Sequence, residues 1–248
     1  WTTSRTYGFN GDIQDVRLYK GVAKYKGSFD VLKPYAPVGF EGDSLRQVSD
    51  TCKNNFAILN ALWRGEYNAR TLTNGNLTIS HSSDDAMVAT VGVTTGKWYW
   101  ETLPSAISSN NNYYGIVGAG ATSLRTLSYY YRSGSGTILR RIDNVSTNLQ
   151  SGLTNASAND VIGIAFNASD KEISWYLNGT QLGTTVTSIA STTKGGSEYF
   201  PLVANENSAG GKVNNINFGQ NPTFSGQITA GTYTDSNGKG LFKYQPPT

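Results

Sequence analysis

Asn159-Asp160-Val161-Ile162-Gly163-Ile164-Ala165-Phe166, then Glu172-Ile173-Ser174-Trp175-Tyr176-Leu177-Asn178-Gly179, is the stretch on which the fold turns. Ile162, Ile164 and Phe166 alternate with smaller residues, and so do Ile173, Trp175 and Leu177, which is the period-two pattern of strands with one buried face. Asn167-Ala168-Ser169-Asp170 between them is a polar reversal. Asn178-Gly179 is the dipeptide that best tolerates the positive φ of a two-residue hairpin. Residues 161–186 therefore read as three consecutive antiparallel strands.

The same logic extends outward. Lys97-Trp98-Tyr99-Trp100-Glu101 puts both tryptophans on one strand face and Tyr99 with Glu101 on the other. Core packing is the expected role of Trp98 or Trp100 and of Trp175, since a buried indole removes about 150–250 Å² from water. Asn74-Gly75 marks a further hairpin between Leu72 and Leu77. No stretch keeps helical periodicity over three turns. A chain of 248 residues with 38% hydrophobic and only 15% charged residues, the balance rich in Gly, Ser, Thr and Asn, fits an all-β domain with a substantial core.

Bulk properties narrow the function. The net charge of +3 comes without a basic run, and Arg140-Arg141 is the only obvious basic pair, so nucleic-acid binding is not expected. No apolar run reaches the ~18 residues of a membrane span, so no membrane insertion is expected. Cys52 is the sole cysteine, so stability must come from packing and not from an internal disulfide.

Specific residues then carry a family resemblance. The 159–179 stretch, Glu198-Tyr199-Phe200-Pro201-Leu202-Val203, Ile216-Asn217-Phe218-Gly219-Gln220-Asn221-Pro222 and Gly96-Lys97-Trp98-Tyr99-Trp100-Glu101 resemble, in order and spacing, the signature strands of SPRY domains. The resemblance covers about residues 48–244 and implies an antiparallel concanavalin-like β-sandwich, a SPRY-type jelly roll, that acts by binding. Asp50-Thr51-Cys52-Lys53-Asn54-Asn55-Phe56-Ala57-Ile58-Leu59-Asn60, with Leu72-Thr73-Asn74-Gly75-Asn76-Leu77, is similar to SPRY modules in structural proteins of tailed phages, although Cys52 and Lys53 stand where Pro and Thr are common. Gly11-Asp12-Ile13-Gln14-Asp15-Val16-Arg17-Leu18-Tyr19 and the residues after it resemble the end of a laminin-G-like domain. The expected organisation is a laminin-G-like piece over 1–32, a linker over 33–47, the SPRY-like sandwich over 48–244 and a further linker from 245. The chain is expected to continue beyond both ends.

Catalysis has little to work with. Glycoside cleavage needs two carboxylates about 5–5.5 Å or 6.5–9.5 Å apart on an open face. Asp170 and Glu172 have a suitable spacing but fall at a hairpin turn; Asp84-Asp85 reads as a polar loop, and Asp12 with Asp15 belongs to the laminin-G-like piece. His81, the only histidine, lies among small polar residues and reads as a surface side chain. One His and one Cys leave no tight zinc site. Calcium at Asp12, Asp84 or Asp85 has no supporting pattern, and nothing resembles a phosphate-binding glycine loop. No catalytic residue, metal or cofactor is assigned.

Recognition is expected on loops along one edge of the sandwich. Three have distinctive content: Ser108 to Tyr114, with Asn110, Asn111, Asn112 and Tyr113; Tyr129 to Gly136, with Tyr129, Tyr131 and Arg132; and Ser191 to Glu198, with Lys194. Tyrosine offers large contact area with few rotors, and Asn and Ser supply adaptable hydrogen bonds. Within the Tyr129-Tyr130-Tyr131 run, one or two side chains are expected in the core. The resemblance implies a non-catalytic virion protein, a tail-fibre or other appendage segment whose SPRY module binds a host-surface glycan or protein or a neighbouring virion protein. Homo-oligomerisation goes with that reading. The alternatives are a capsid-decorating or head-fibre scaffold, a glycan-degrading enzyme and a cellular SPRY adhesin or adaptor.

Overall fold

The computed structural model describes residues 55–63, 70–82, 84–106, 112–191, 197–205 and 212–248. The chain divides into two units, Trp1–Gln47 and Val48–Thr248, and every described residue belongs to the second. The laminin-G-like piece and the 33–47 linker lie outside the described residues.

Two antiparallel sheets face each other. One has seven strands in the order β1 (Arg70–Thr73), β2 (Thr78–His81), β13 (Lys212–Asn217), β4 (Lys97–Ala106), β9 (Ile162–Asn167), β10 (Glu172–Leu177) and β11 (Thr180–Val186). The other has six in the order β3 (Asp85–Val88), β12 (Tyr199–Asn205), β5 (Asn112–Gly118), β6 (Leu127–Arg132), β7 (Thr137–Ile142) and β8 (Val145–Gln150). A short ribbon, β14 (Tyr233–Thr234) with β15 (Leu241–Phe242), completes the set. No helix occurs among the described residues.

The alternation read from sequence sets the inner faces. Ile162, Ile164, Phe166, Ile173, Trp175 and, partly buried, Leu177 all join the core between the sheets. Trp100 lies in that core at 3% exposure, whereas Trp98, one pleat nearer the strand end, is 46% exposed. Trp175 Nε1 donates to the carbonyl of Tyr114 on the opposite sheet at 2.7 Å, so the largest core side chain also satisfies its polar atom. The turns follow the sequence too. Asn178 and Gly179 link β10 to β11 with φ of 50° and 82°, and Asn74 and Gly75 link β1 to β2 with 53° and 64°.

Both outer faces carry apolar clusters of their own. On the six-stranded sheet these are Ala86, Val88, Tyr113, Val117, Tyr130, Leu202 and their neighbours. On the seven-stranded sheet, Leu103 and Val161 pack with Phe224, Ile228 and Tyr244 of the segment that follows β13. Glu101 is fully buried there and accepts the backbone N–H groups of Lys243 at 2.8 Å and Tyr244 at 2.9 Å.

Candidate functional site at the polar end of the sandwich

Antiparallel pairing decides which connections meet. His81, Asp85, Ala106, Asn112, Arg132, Asn205 and Lys212 are strand-terminal residues at one end, through the registers His81 with Lys212, Asp85 with Asn205 and Asn205 with Asn112. Connections 82–84, 107–111, 133–136 and 206–211 therefore all leave from this end. Residues 74–77, 119–126, 168–171 and 187–198 join strands at the other.

At the first end the core turns polar. Lys212 and Asn214 lie on the Ile216 side of β13, His81 on the Ile79 side of β2, and Asp85, Asn112 and Asn205 on the inner side of their strands. Each of these six is at most 2% exposed. Arg70 Nη1 donates to Asp85 Oδ1 at 2.6 Å and Arg70 Nη2 to the Trp63 carbonyl at 2.5 Å. The Ala86 N–H also donates to Asp85 Oδ1, at 2.8 Å. Lys212 Nζ donates to Asn205 Oδ1. Tyr114 OH donates across the sandwich to Asn214 Oδ1 at 2.7 Å. Several atoms of the cluster make no hydrogen bond to any described residue: both ring nitrogens of His81, Asp85 Oδ2, both amide atoms of Asn112 and Asn214 Nδ2. Buried polar groups are seldom left so, which makes this end chemically distinctive.

Burial sets the protonation states. It drives the His81 imidazole down to about 3, with the charges of Lys212 and Arg70 adding to the effect, so the ring is neutral at physiological pH. Burial pushes the Asp85 carboxyl up against the opposing pull of Arg70 and the Ala86 N–H. It also holds Lys212 below the usual lysine value, with Asp84 opposing.

The residues selected from sequence are distributed differently from expectation. β11 ends and β12 begins at the opposite end of the sandwich from the start of β5 and the end of β6. Asn110, Asn111 and Lys194 lie outside the described residues. Asn112, Tyr113, Tyr129 and Tyr131 are strand residues of β5 and β6, each at most 2% exposed, and not loop residues. All three tyrosines of the 129–131 run are buried, because the six-stranded sheet is covered on both faces. Tyr131 OH donates to the Thr154 carbonyl at 2.6 Å, and burial pushes its phenol up to about 12. Tyr129 OH accepts the Ala190 N–H at 2.9 Å. Tyr113 lies against Tyr130, ring centroids 4.6 Å apart, with the Arg141 guanidinium 5.9 Å and 5.8 Å from the two rings. Arg132, half-buried, closes β6 at the polar end.

Two further expectations are corrected. His81 is at 2% exposure and not on the surface, because β2 is sandwiched between β1 and β13 with its Ile79 face inward. Asp85 is the first residue of β3 and fully enclosed, and does not sit in a polar loop. Asp170 is in the β9–β10 turn, where Asn167 Nδ2 donates to its carboxylate at 2.7 Å. Among the described residues, no three of His, Cys, Asp or Glu come together as metal ligands.

Two antiparallel sheets with aromatic inner strands and connections gathered at a polar end define a concanavalin-like β-sandwich. Residues 79–221, more than half of the chain, match the SPRY domain, and the chain belongs to the SPRY domain family. Family members act as protein-interaction modules. Similar solved structures include the SPRY domain of human HERC1, at 18% identity over 60% of this chain and 92% of that one, with a TM-score of 0.45. The TRIM65 PSpry domain is similar at 12% identity over 73% and 98%, with a TM-score of 0.48. No curated protein sequence matches the chain.

Proposed function

We propose that this SPRY domain is a non-catalytic recognition module whose partner docks on the connections at the polar end. The observation that supports it is that β2 and β3, β4 and β5, β6 and β7, and β12 and β13 all have their successive ends at this end of the sandwich, over a floor made by both sheets. In sequence these connections are dominated by Ser, Asn and Gly, the adaptable polar residues of binding loops. Rigid strands that display such loops lose little order on binding.

The setting we propose is a virion appendage, a tail fibre or similar extension, exposed on the particle and assembled as a homo-oligomer. Its partner is a host-surface glycan or protein, or a neighbouring virion protein. This setting rests on the likeness of residues 50–60 and 72–77 to SPRY modules of phage structural proteins.

Immunogold labelling of particles with antibody to this chain, combined with binding of the purified chain to envelope fractions of the propagating host, tests both parts. Label on appendages and binding lost when 107–111 and 206–211 are replaced by Gly-Ser segments are the expected results. Label over the shell would replace the appendage with a scaffold role. Absence of label on any particle would sink the virion setting.

A further inference from the structure

A sheet edge presents a row of unpaired backbone groups, and proteins ordinarily blunt it with charge, proline, a bulge or a covering segment. Of the four edge strands of the two described sheets, three are blunted. β3 runs into a covered stretch, where Asn60 N–H donates to the Val88 carbonyl at 2.8 Å and Thr90 N–H to the Ile58 carbonyl at 2.7 Å. β1 carries Arg70, whose guanidinium is drawn onto Asp85. β11 has Gly183 at φ 62° and a shifted register, and the Gln150 amide takes both the N–H and the carbonyl of Thr184.

β8, Val145-Ser146-Thr147-Asn148-Leu149-Gln150, is different. It holds no charged residue and no proline, and its register against β7 stays regular from Val145 to Asn148, shifting only beyond. Val145 is 66% exposed, and Ser146 and Asn148 are exposed as well. Asp143 and Asn144, at φ 47° and 67°, form the two-residue turn that makes Ile142 and Val145 a hydrogen-bonded pair. Such pairs alternate along an antiparallel ladder, so Thr147 also bonds to β7 while the N–H and C=O of Ser146 and Asn148 turn outward.

We propose that two copies of this chain pair antiparallel through β8, joining their six-stranded sheets into one continuous sheet. The edge is complementary to itself. Antiparallel pairing sets outward-turned residues opposite each other, Ser146 against Asn148 of the second copy and Asn148 against its Ser146, with the two-fold axis at Thr147. Val145, Thr147 and Leu149 share the other side of the strand, where Leu149 packs against the core. There the exposed Val145 meets Leu149 of the second copy, and Thr147 meets Thr147, apolar and Thr–Thr pairs that favour the sheet. No charge is set against its like by the paired edges, since β11, the facing edge of the other layer, is also uncharged. Arg140 and Arg141 lie one strand inward and bond the Thr147 and Ser146 hydroxyls of their own copy. The pairing names the interface of the homo-oligomer proposed above and rests on that part of the reading. It leaves the polar ends of the two copies free and pointing in opposite directions.

Light scattering of the full chain as it elutes from size exclusion gives its mass in solution, and a dimer is expected. In a Cys52→Ser background, Thr147→Cys should form a disulfide between copies under mild oxidation, because a non-hydrogen-bonded pair sets its Cα atoms about 4.5 Å apart. Ser146→Cys, which faces Asn148 of the second copy, should cross-link far less. Ser146→Pro removes an outward N–H and spares the β7 ladder, and Val145→Lys puts an ammonium against Leu149. Each should raise the dissociation constant about tenfold or more, with melting curves showing that the monomer still folds. A monomer at every concentration would overturn this interface and the homo-oligomer together. An odd-numbered oligomer would overturn the interface, because a two-fold edge pair closes at two. So would a dimer that persists in both folded variants, or one that cross-links no better through Thr147→Cys than through Ser146→Cys. Those results leave the homo-oligomer standing on another surface.

Discussion

The side chain of Gln150 pairs with the backbone of Thr184 as if it were a strand residue: Nε2 donates to the Thr184 carbonyl at 2.7 Å, and Oε1 accepts the Thr184 N–H at 2.9 Å. Gln150 ends β8, the last strand of one sheet, and Thr184 lies in β11, the last strand of the other, so one amide closes the open side of the sandwich. The register of β10 against β11 shifts between Ile173 and Trp175, and Gly183 is the residue at φ 62° beside the amide. A Cβ on Gly183 would stand 2.1 Å from Gln150 Oε1. Gln150→Ala should cost about 1–2 kcal/mol, since two net hydrogen bonds are lost at a partly wet site. Gly183→Ala should cost at least about 1 kcal/mol through φ strain and displacement of the same amide. Because both changes break one contact, urea titration of the double variant should show less than the sum.

Glu101 anchors the final segment to the outer face of the seven-stranded sheet. Its carboxylate accepts Lys243 N–H and Tyr244 N–H, with Asn217 Nδ2 at 3.3 Å and Tyr99 OH at 3.2 Å. Three of the four donors lose their acceptor in Glu101→Ala, while Asn217 Nδ2 keeps the Leu241 carbonyl at 2.8 Å, and Glu101→Gln turns an amide N–H₂ towards one of the two backbone N–H groups. Leaving buried donors unmade costs about 1–3 kcal/mol each, so either variant should be clearly destabilised. Limited proteolysis should then cut within residues 226–248, sites that stay protected in the wild type. Unchanged protection in Glu101→Ala would show that Leu103, Val161, Phe224 and Tyr244 hold the segment unaided.

Acid should weaken the fold through His81. In the unfolded chain its imidazole takes a proton as pH falls through about 6.5, while the folded state resists until about 3. The unfolded state therefore binds the extra proton across that window, and stability falls with falling pH by about 1.4 kcal/mol per unit. Asp85 and Glu101 run the other way, because burial pushes both carboxyls up, so the folded state keeps a proton that the unfolded state has released. Their contribution is fully present at low pH and is lost as pH rises through the folded values. His81→Gln isolates the imidazole. Its stability difference from wild type, measured by denaturant titration between pH 4 and pH 7 (about three units, enough to resolve one proton), should shrink or reverse as pH falls. A difference independent of pH would refute the buried neutral ring.

The strands and turns were legible because alternation and Asn-Gly signals are local. Ile162 to Phe166 and Ile173 to Leu177 face the core as their spacing demands. Alternation also assumes a wet outer face, and here it misleads, since Tyr113 and Tyr130 on the outside of the six-stranded sheet are as buried as Tyr129 and Tyr131 within it. Which end of the sandwich a strand terminus occupies depends on strand pairing, which sequence alone does not give, so the end of β11 and the start of β12 could not be told from sequence to lie opposite the start of β5. The polar cluster was hidden for the same reason. His81 among Ser80 and Ser82 looks superficial until β13 pairs with β2 and sets Lys212 opposite it. One signal was available, for the alternation Lys212, Asn214, Ile216 already puts the lysine on the apolar side of its strand.

If Tyr129 and Tyr131 are structural, their hydroxyls act on the fold and not on a ligand. Tyr131 OH bonds the Thr154 carbonyl and Tyr129 OH the Ala190 N–H, so each ties a connecting segment to the sandwich interior. Tyr131→Phe and Tyr129→Phe should each lower stability by about 0.5–1.5 kcal/mol, the net worth of one hydrogen bond. Replacement by Ala removes a ring from a closed core and should cost about 3–5 kcal/mol. Partner affinity of the two Phe variants should equal that of the wild type at temperatures where both are folded. Equal stability with reduced affinity would reverse the assignment and return the two phenols to the binding surface.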